Sequence, residues 1–238
     1  MLFSELLSLE YADFATKYPK VVGLATAFGT QLELDCPDWL RPVDGRGSLE
    51  VFEKVGAVIA RGVLSVDLVG KLYEEQVRNG VYMVQSENGH WFYFNHMTER
   101  PPELTNETRL AKVYKVATGC SADLLMNRYE FREGINGFQY PHRDRGLLKP
   151  SIAFGKGPGA TRIIGDCYEV QIPRSSEGAR QLDDLKIAGQ AIDLDTDIYD
   201  ITVFDGLLYT HHGLRIPPEV ETEEPRLSVL LNSISYIN

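Results

Sequence analysis

The sequence predicts an α+β fold led by β structure, and three observations carry the prediction. Apolar residues at helical spacing open the chain, and eight short β-prone runs cut by Gly, Pro and Asp fill the part after residue 124. No repeat, low-complexity stretch or Ser/Gly linker separates two halves. A single domain over 1–238 is therefore expected, with a helical and mixed portion at 1–120 and a β core at 121–238. Helices laid against an antiparallel double sheet suit this order, because a jelly roll closes its own edges and keeps a concave mouth for a ligand.

Leu6, Leu7, Tyr11 and Phe14 mark a helix over 2–18. A loop at 36–48 containing Pro and Gly precedes an apolar strand at 56–60. Ser65 is placed to cap a helix that Asn79-Gly80 ends. Runs at 81–85 and 91–94 flank Ser86-Glu-Asn-Gly89 as a β-hairpin, and Thr105 can cap a further helix to 118. The β core then follows as runs at 124–131, 151–154, 161–164, 168–172, 191–194, 201–204, 207–216 and 226–237. Gly155-Lys-Gly-Pro-Gly159 lacks the Lys-Ser/Thr ending of a phosphate-binding loop and reads as a hairpin turn. Trp91-Phe-Tyr-Phe94, with His90 and His96 beside it, reads as core packing.

The 238 residues, 43% hydrophobic and 24% charged, are enough to bury a sizeable core. A net charge of −10 opposes steering onto a nucleic-acid backbone or an anionic membrane, so neither is an expected partner. The first residues carry no basic leader region and are broken by Glu5, Glu10 and Asp13, and no apolar run is long enough to span a bilayer. Cys36, Cys120 and Cys167 are too few and too scattered for a disulfide framework, which suggests a reducing, cytoplasmic setting.

The chemistry concentrates in Tyr140-Pro-His142-Arg-Asp144-Arg-Gly146. His142 and Asp144 stand two apart just ahead of an apolar strand, and a period of two puts them on one face. Thr210-His211-His212-Gly, some seventy residues later, can return a second imidazole to the same place. Two imidazoles and one carboxylate on one face of an ion leave three positions open, the ligand set of non-haem Fe(II) oxygenases. Zinc more often takes a closed tetrahedron. In the last long run Arg226 and Ser228 share a face, and a guanidinium fork with a hydroxyl suits a carboxylate.

These segments resemble the iron- and 2-oxoglutarate-dependent dioxygenases, most closely the branch of isopenicillin N synthase and the plant oxygenases. Asn127-Arg-Tyr129 is similar to the family's Asn-x-Tyr strand, and His142-Arg-Asp144-Arg-Gly146 to its His-x-Asp turn. Thr210-His-His212-Gly-Leu-Arg-Ile-Pro-Pro resembles its distal histidine strand, and Arg226-Leu-Ser228 its Arg-x-Ser. The resemblance implies a double-stranded β-helix with Fe(II) on His142, Asp144 and a histidine at 212 or 211. It implies 2-oxoglutarate on Arg226, Ser228, Tyr129 and, more weakly, Asn127. No catalytic residue beyond the metal site is expected. Strand parity across 207–216 favours His212, since that phase turns Leu208, Thr210, Leu214 and Ile216 inward with it. The taurine-type branch places its histidine a little earlier, after an Asp-Asn turn, which matches Asp205-Gly206 and selects His211.

By the same resemblance, O₂ and 2-oxoglutarate are consumed, succinate and CO₂ are released, and an aliphatic carbon of a small molecule is oxidised. Hydroxylation is the default outcome, and Asp144 occupies the position that a halogenase leaves open. Arg128, Arg132, Arg143, Arg145, Lys149 and Lys156 near the metal turn suggest a carboxylate-bearing substrate such as an amino acid, although charges of this kind are commonly solvated. The alternatives are an iron oxidase of the isopenicillin N synthase type that needs no 2-oxoglutarate, a zinc hydrolase, and a non-catalytic jelly-roll binding module.

Overall fold

The computed structural model describes residues 12–35, 47–67, 82–85, 91–95, 116, 123–129, 141–143, 149–154, 160–165, 171–197, 199–206, 208–213 and 226–232. The strands at 82–85, 91–95, 123–129, 149–154 and 226–232 are described through their backbone. The expected helices over 2–11, 68–78 and 105–115 and the expected strand at 168–170 lie outside these residues, and 171–172, where that strand is expected to end, are described and are not strand.

Two helices come first, α1 (Ala12–Lys17) and α2 (Pro19–Asp35). Pro19 opens α2, where a missing N–H costs nothing and the fixed φ suits a helix. Val21, Leu24, Ala25, Phe28 and Leu32 form one buried stripe along it, packed on the strand Asp200–Phe204. The sequence reading leaves 19–35 unassigned because four β-branched residues (Val21, Val22, Thr26 and Thr30) and two glycines dilute its helix propensity. Burial of the stripe overrides that propensity.

The larger sheet has eight antiparallel strands in the order β1-β2-β9-β6-β11-β5-β4-β3. They are β1 (Ser48–Phe52), β2 (Ala57–Arg61), β3 (Tyr82–Gln85), β4 (Trp91–Asn95), β5 (Asp123–Tyr129), β6 (Lys149–Phe154), β9 (Asp200–Phe204) and β11 (Arg226–Asn232). β3 and β4 form the expected hairpin, with Gln85 opposite Trp91. β1 is a half-exposed edge strand that the sequence reading leaves unassigned.

The smaller sheet runs β10-β7-β8, from β7 (Ala160–Ile164), β8 (Ala191–Asp195) and β10 (His211–Gly213). An antiparallel bridge from His142 to His211 extends it by one position beyond β10. β6 and β7 belong to different sheets and do not pair as the hairpin expected around 155–159, which themselves lie outside the described residues.

A helix missed in the sequence, α3 (Ser176–Ile187), covers the small sheet. Ser175 caps it, its hydroxyl accepting a hydrogen bond from the Gly178 N–H. Leu182 packs with Ile164 and Ala191, and burying a leucine contributes about 1.5–3 kcal/mol. The layers therefore run α2, large sheet, small sheet, α3. β9 is buried at every position because it lies between α2 and the small sheet. The expected mixture of N-terminal helices with a mainly antiparallel β remainder holds among the described residues.

Candidate metal centre

The connection from β9 to β10 sets the site. Asp205 is buried, its carboxylate accepts from the Leu208 N–H at 3.2 Å, and its carbonyl accepts from the Tyr209 N–H at 3.1 Å. This Asx-type turn carries the chain from the large sheet to the small one. The strand expected from 207 thus begins only at His211, and parity cannot be counted through 207–210.

His142 and His211 face each other across the bridge and exchange both backbone hydrogen bonds, at 3.0 and 2.9 Å. Directly opposed residues project to the same side, and the two rings lie 4.5 Å apart at 51°. The His211 ring also meets Phe204 of β9 edge-on at 5.0 Å, so this side of the small sheet faces the large one. The His211 Nδ1–H donates to the Tyr209 carbonyl at 3.1 Å, which leaves Nε2 as the lone-pair nitrogen.

His212 lies on the other side. Its rung partner is Arg162 of β7, whose guanidinium grips Asp193 of β8 at 2.6 and 3.0 Å and also reaches Asp183 of α3. The Lys186 ammonium adds to Asp193 at 3.5 Å. Burial pushes the Asp193 carboxyl up, but the hydrogen-bonded Arg162 and then Lys186 outweigh it and hold the group below its ordinary value. His212, only 2% exposed, therefore belongs to the face of the small sheet that carries α3.

Of the residues singled out in the sequence, His142 and His211 are brought together, and His212 is out of phase with them. Asp144 lies outside the described residues. The backbone register sets Arg226 opposite Tyr129 and Ser228 opposite Asn127, so all four occupy paired positions on β11 and β5. Arg143, exposed beside His142, donates from Nε to the Thr210 hydroxyl at 3.2 Å and ties the 141–143 segment to the start of β10. Among the described residues no three of His, Cys, Asp and Glu converge as a metal cluster.

No family model matches the chain, and no curated protein matches it in sequence. Solved structures do match. The crystal structure of the non-heme alpha-ketoglutarate-dependent epimerase SnoN from nogalamycin biosynthesis is 13% identical, with a TM-score of 0.52 over 76% of this chain and 79% of that one. HygX from Streptomyces hygroscopicus, solved with nickel, 2-oxoglutarate and hygromycin B, is 11% identical, with a TM-score of 0.52 over 78% of this chain and 85% of that one. The likeness is one of fold. Among the described residues no helix is long and apolar enough to cross a membrane.

Proposed function

We propose that the chain is a non-haem Fe(II)- and 2-oxoglutarate-dependent oxygenase acting on a small molecule, built on a double-stranded β-helix within a single domain. The observation that carries this reading is the opposed pair His142 and His211, with rings 4.5 Å apart on the side of the small sheet that meets Phe204. In this reading His142, Asp144 and His211 hold the metal. The donor set fits a divalent iron: the His211 Nδ1–H is already committed to a carbonyl, which fixes the ring and presents Nε2. With iron bound there, the centre supplies oxidation of a substrate carbon by O₂, coupled to decarboxylation of 2-oxoglutarate to succinate and CO₂.

Arg226 and Ser228 grip the far carboxylate of the cosubstrate, and Tyr129 and Asn127 occupy the positions opposite. The register supports this, because the cross-strand row Asp200–Ala153–Ser228–Asn127 gives Ser228 the same parity as Asp200, Thr202 and Phe204. The protein's part is to orient the cosubstrate and keep water from the reacting carbon. Hydroxylation is the reading for the outcome. The distal histidine following the Asp205 turn favours the taurine-type pattern over that of the isopenicillin N synthase branch. A carboxylate-bearing substrate is part of this reading, on the basic residues that the sequence sets around the metal turn.

Anaerobic reconstitution with Fe(II) and then 2-oxoglutarate tests the reading. A weak visible charge-transfer band from a chelated keto acid is expected, and it should be lost in Arg226→Ala. Iron without a band points to the oxidase that needs no 2-oxoglutarate, and failure to retain iron contradicts the reading.

A further inference from the structure

The Thr202 hydroxyl is a buried polar group on the side of β9 that faces the small sheet. Thr202 is only 4% exposed, and its Oγ1 makes no hydrogen bond. Its direction follows from its strand. Phe204, two residues on, turns to the small sheet and meets His211, and Asp200, two residues back, is held by Arg61, which also reaches the Asp195 carbonyl of β8. Alternation puts Thr202 on this same side of β9. Along the strand it stands between the His211 end and the row that Asp200 shares with Ser228.

A buried hydroxyl without a partner is unfavourable, and a valine of the same shape would avoid the cost. We propose that Thr202 is a further positioning residue of the site, its O–H donating to an oxygen of the bound dicarboxylic keto acid between the histidine pair and the Ser228 row. This rests on the oxygenase reading above and extends it to a strand, β9, that supplies neither a metal ligand nor the arginine. The hydroxyl is unpartnered in the free protein and satisfied in the complex.

The test compares wild type, Thr202→Val and Thr202→Ser, loaded with Ni(II). Thr202→Val should raise the melting temperature of the ligand-free protein, because it removes an unpaired buried group. It should also weaken 2-oxoglutarate binding, read by calorimetry, by about tenfold or more, the loss of one hydrogen bond to a charged acceptor. Thr202→Ser should keep the wild-type affinity to within a few-fold, and Ni(II) binding should be the same in all three. Opposite signs of the two effects in one variant are what a merely structural hydroxyl would not give. Wild-type affinity in Thr202→Val, or a lower melting temperature of its ligand-free form, overturns the proposal and leaves the oxygenase reading standing. A wild-type protein that binds Ni(II) but not 2-oxoglutarate sinks both.

Discussion

Two neighbouring histidines occupy opposite sides of one short strand, and their surroundings differ accordingly. His211 meets an imidazole and a phenyl ring, whereas His212 is paired in register with Arg162 under α3. The charges on the α3 side have a consequence for pH. Arg162 and Lys186 hold the Asp193 carboxyl below its ordinary value, and Asp183 is the other acidic group facing Arg162. A carboxyl lowered on folding contributes stability above its unfolded pKa, about 3.9, and loses that contribution as pH falls through the folded value. The stability gap between wild type and Asp193→Asn in urea should therefore be constant from about pH 5 to 7 and close below about pH 4. A gap that widened on acidification would reverse this account.

At the scale of elements, the chain's own punctuation separates what could be read from what could not. The hairpin at 81–94 and the runs that became β2, β5, β6, β7, β8, β9 and β11 were legible because turn residues bound short β-branched or aromatic stretches. The helix α3 was not, although Ser175 with Glu177 in the first turn is a capping signal, because Gly178 inside it reads as a breaker. The structure gives that glycine a reason: a Cβ there would lie 1.9 Å from the Pro173 carbonyl oxygen. Gly178→Ala must displace backbone, and an overpacking loss of about 1–3 kcal/mol is expected in chemical denaturation despite alanine's better helix propensity. The histidine pair was legible as a set but not in phase. A parity count presumes continuous strand, and the Asp205 turn interrupts it just before His211. Thr202 left no signal at all, since one threonine in an apolar strand looks like ordinary β propensity.

For the molecule as a whole, the site lies between two sheets, so whatever fixes one sheet on the other also fixes the site. One such tie is Arg61 of β2, which bonds Asp200 of β9 at 2.9 Å and Glu50 of β1 at 2.7 Å and reaches the Asp195 carbonyl on β8. Asp200, 2% exposed, also accepts from the Gly62 and Asp197 N–H groups at 2.8 and 2.7 Å. Asp200→Ala would strand the Gly62 and Asp197 N–H groups and leave the guanidinium to Glu50 and the Asp195 carbonyl. A loss of about 2–4 kcal/mol is expected, about 1–3 kcal/mol for each buried donor left without an acceptor. Equilibrium unfolding measures it, and a change below about 1 kcal/mol, the scale of a surface ion pair, would show that the tie is not structural.

The central claim is that His142 and His211, not His212, build the metal centre. Fe(II) stoichiometry and affinity, measured anaerobically on wild type, His142→Gln, His211→Gln and His212→Gln, test it most directly, with circular dichroism confirming that each variant is folded. One iron per chain in wild type and His212→Gln, with binding lost or weakened at least about tenfold in the other two, is the predicted result. Iron retained by folded His211→Gln and lost from folded His212→Gln would contradict it.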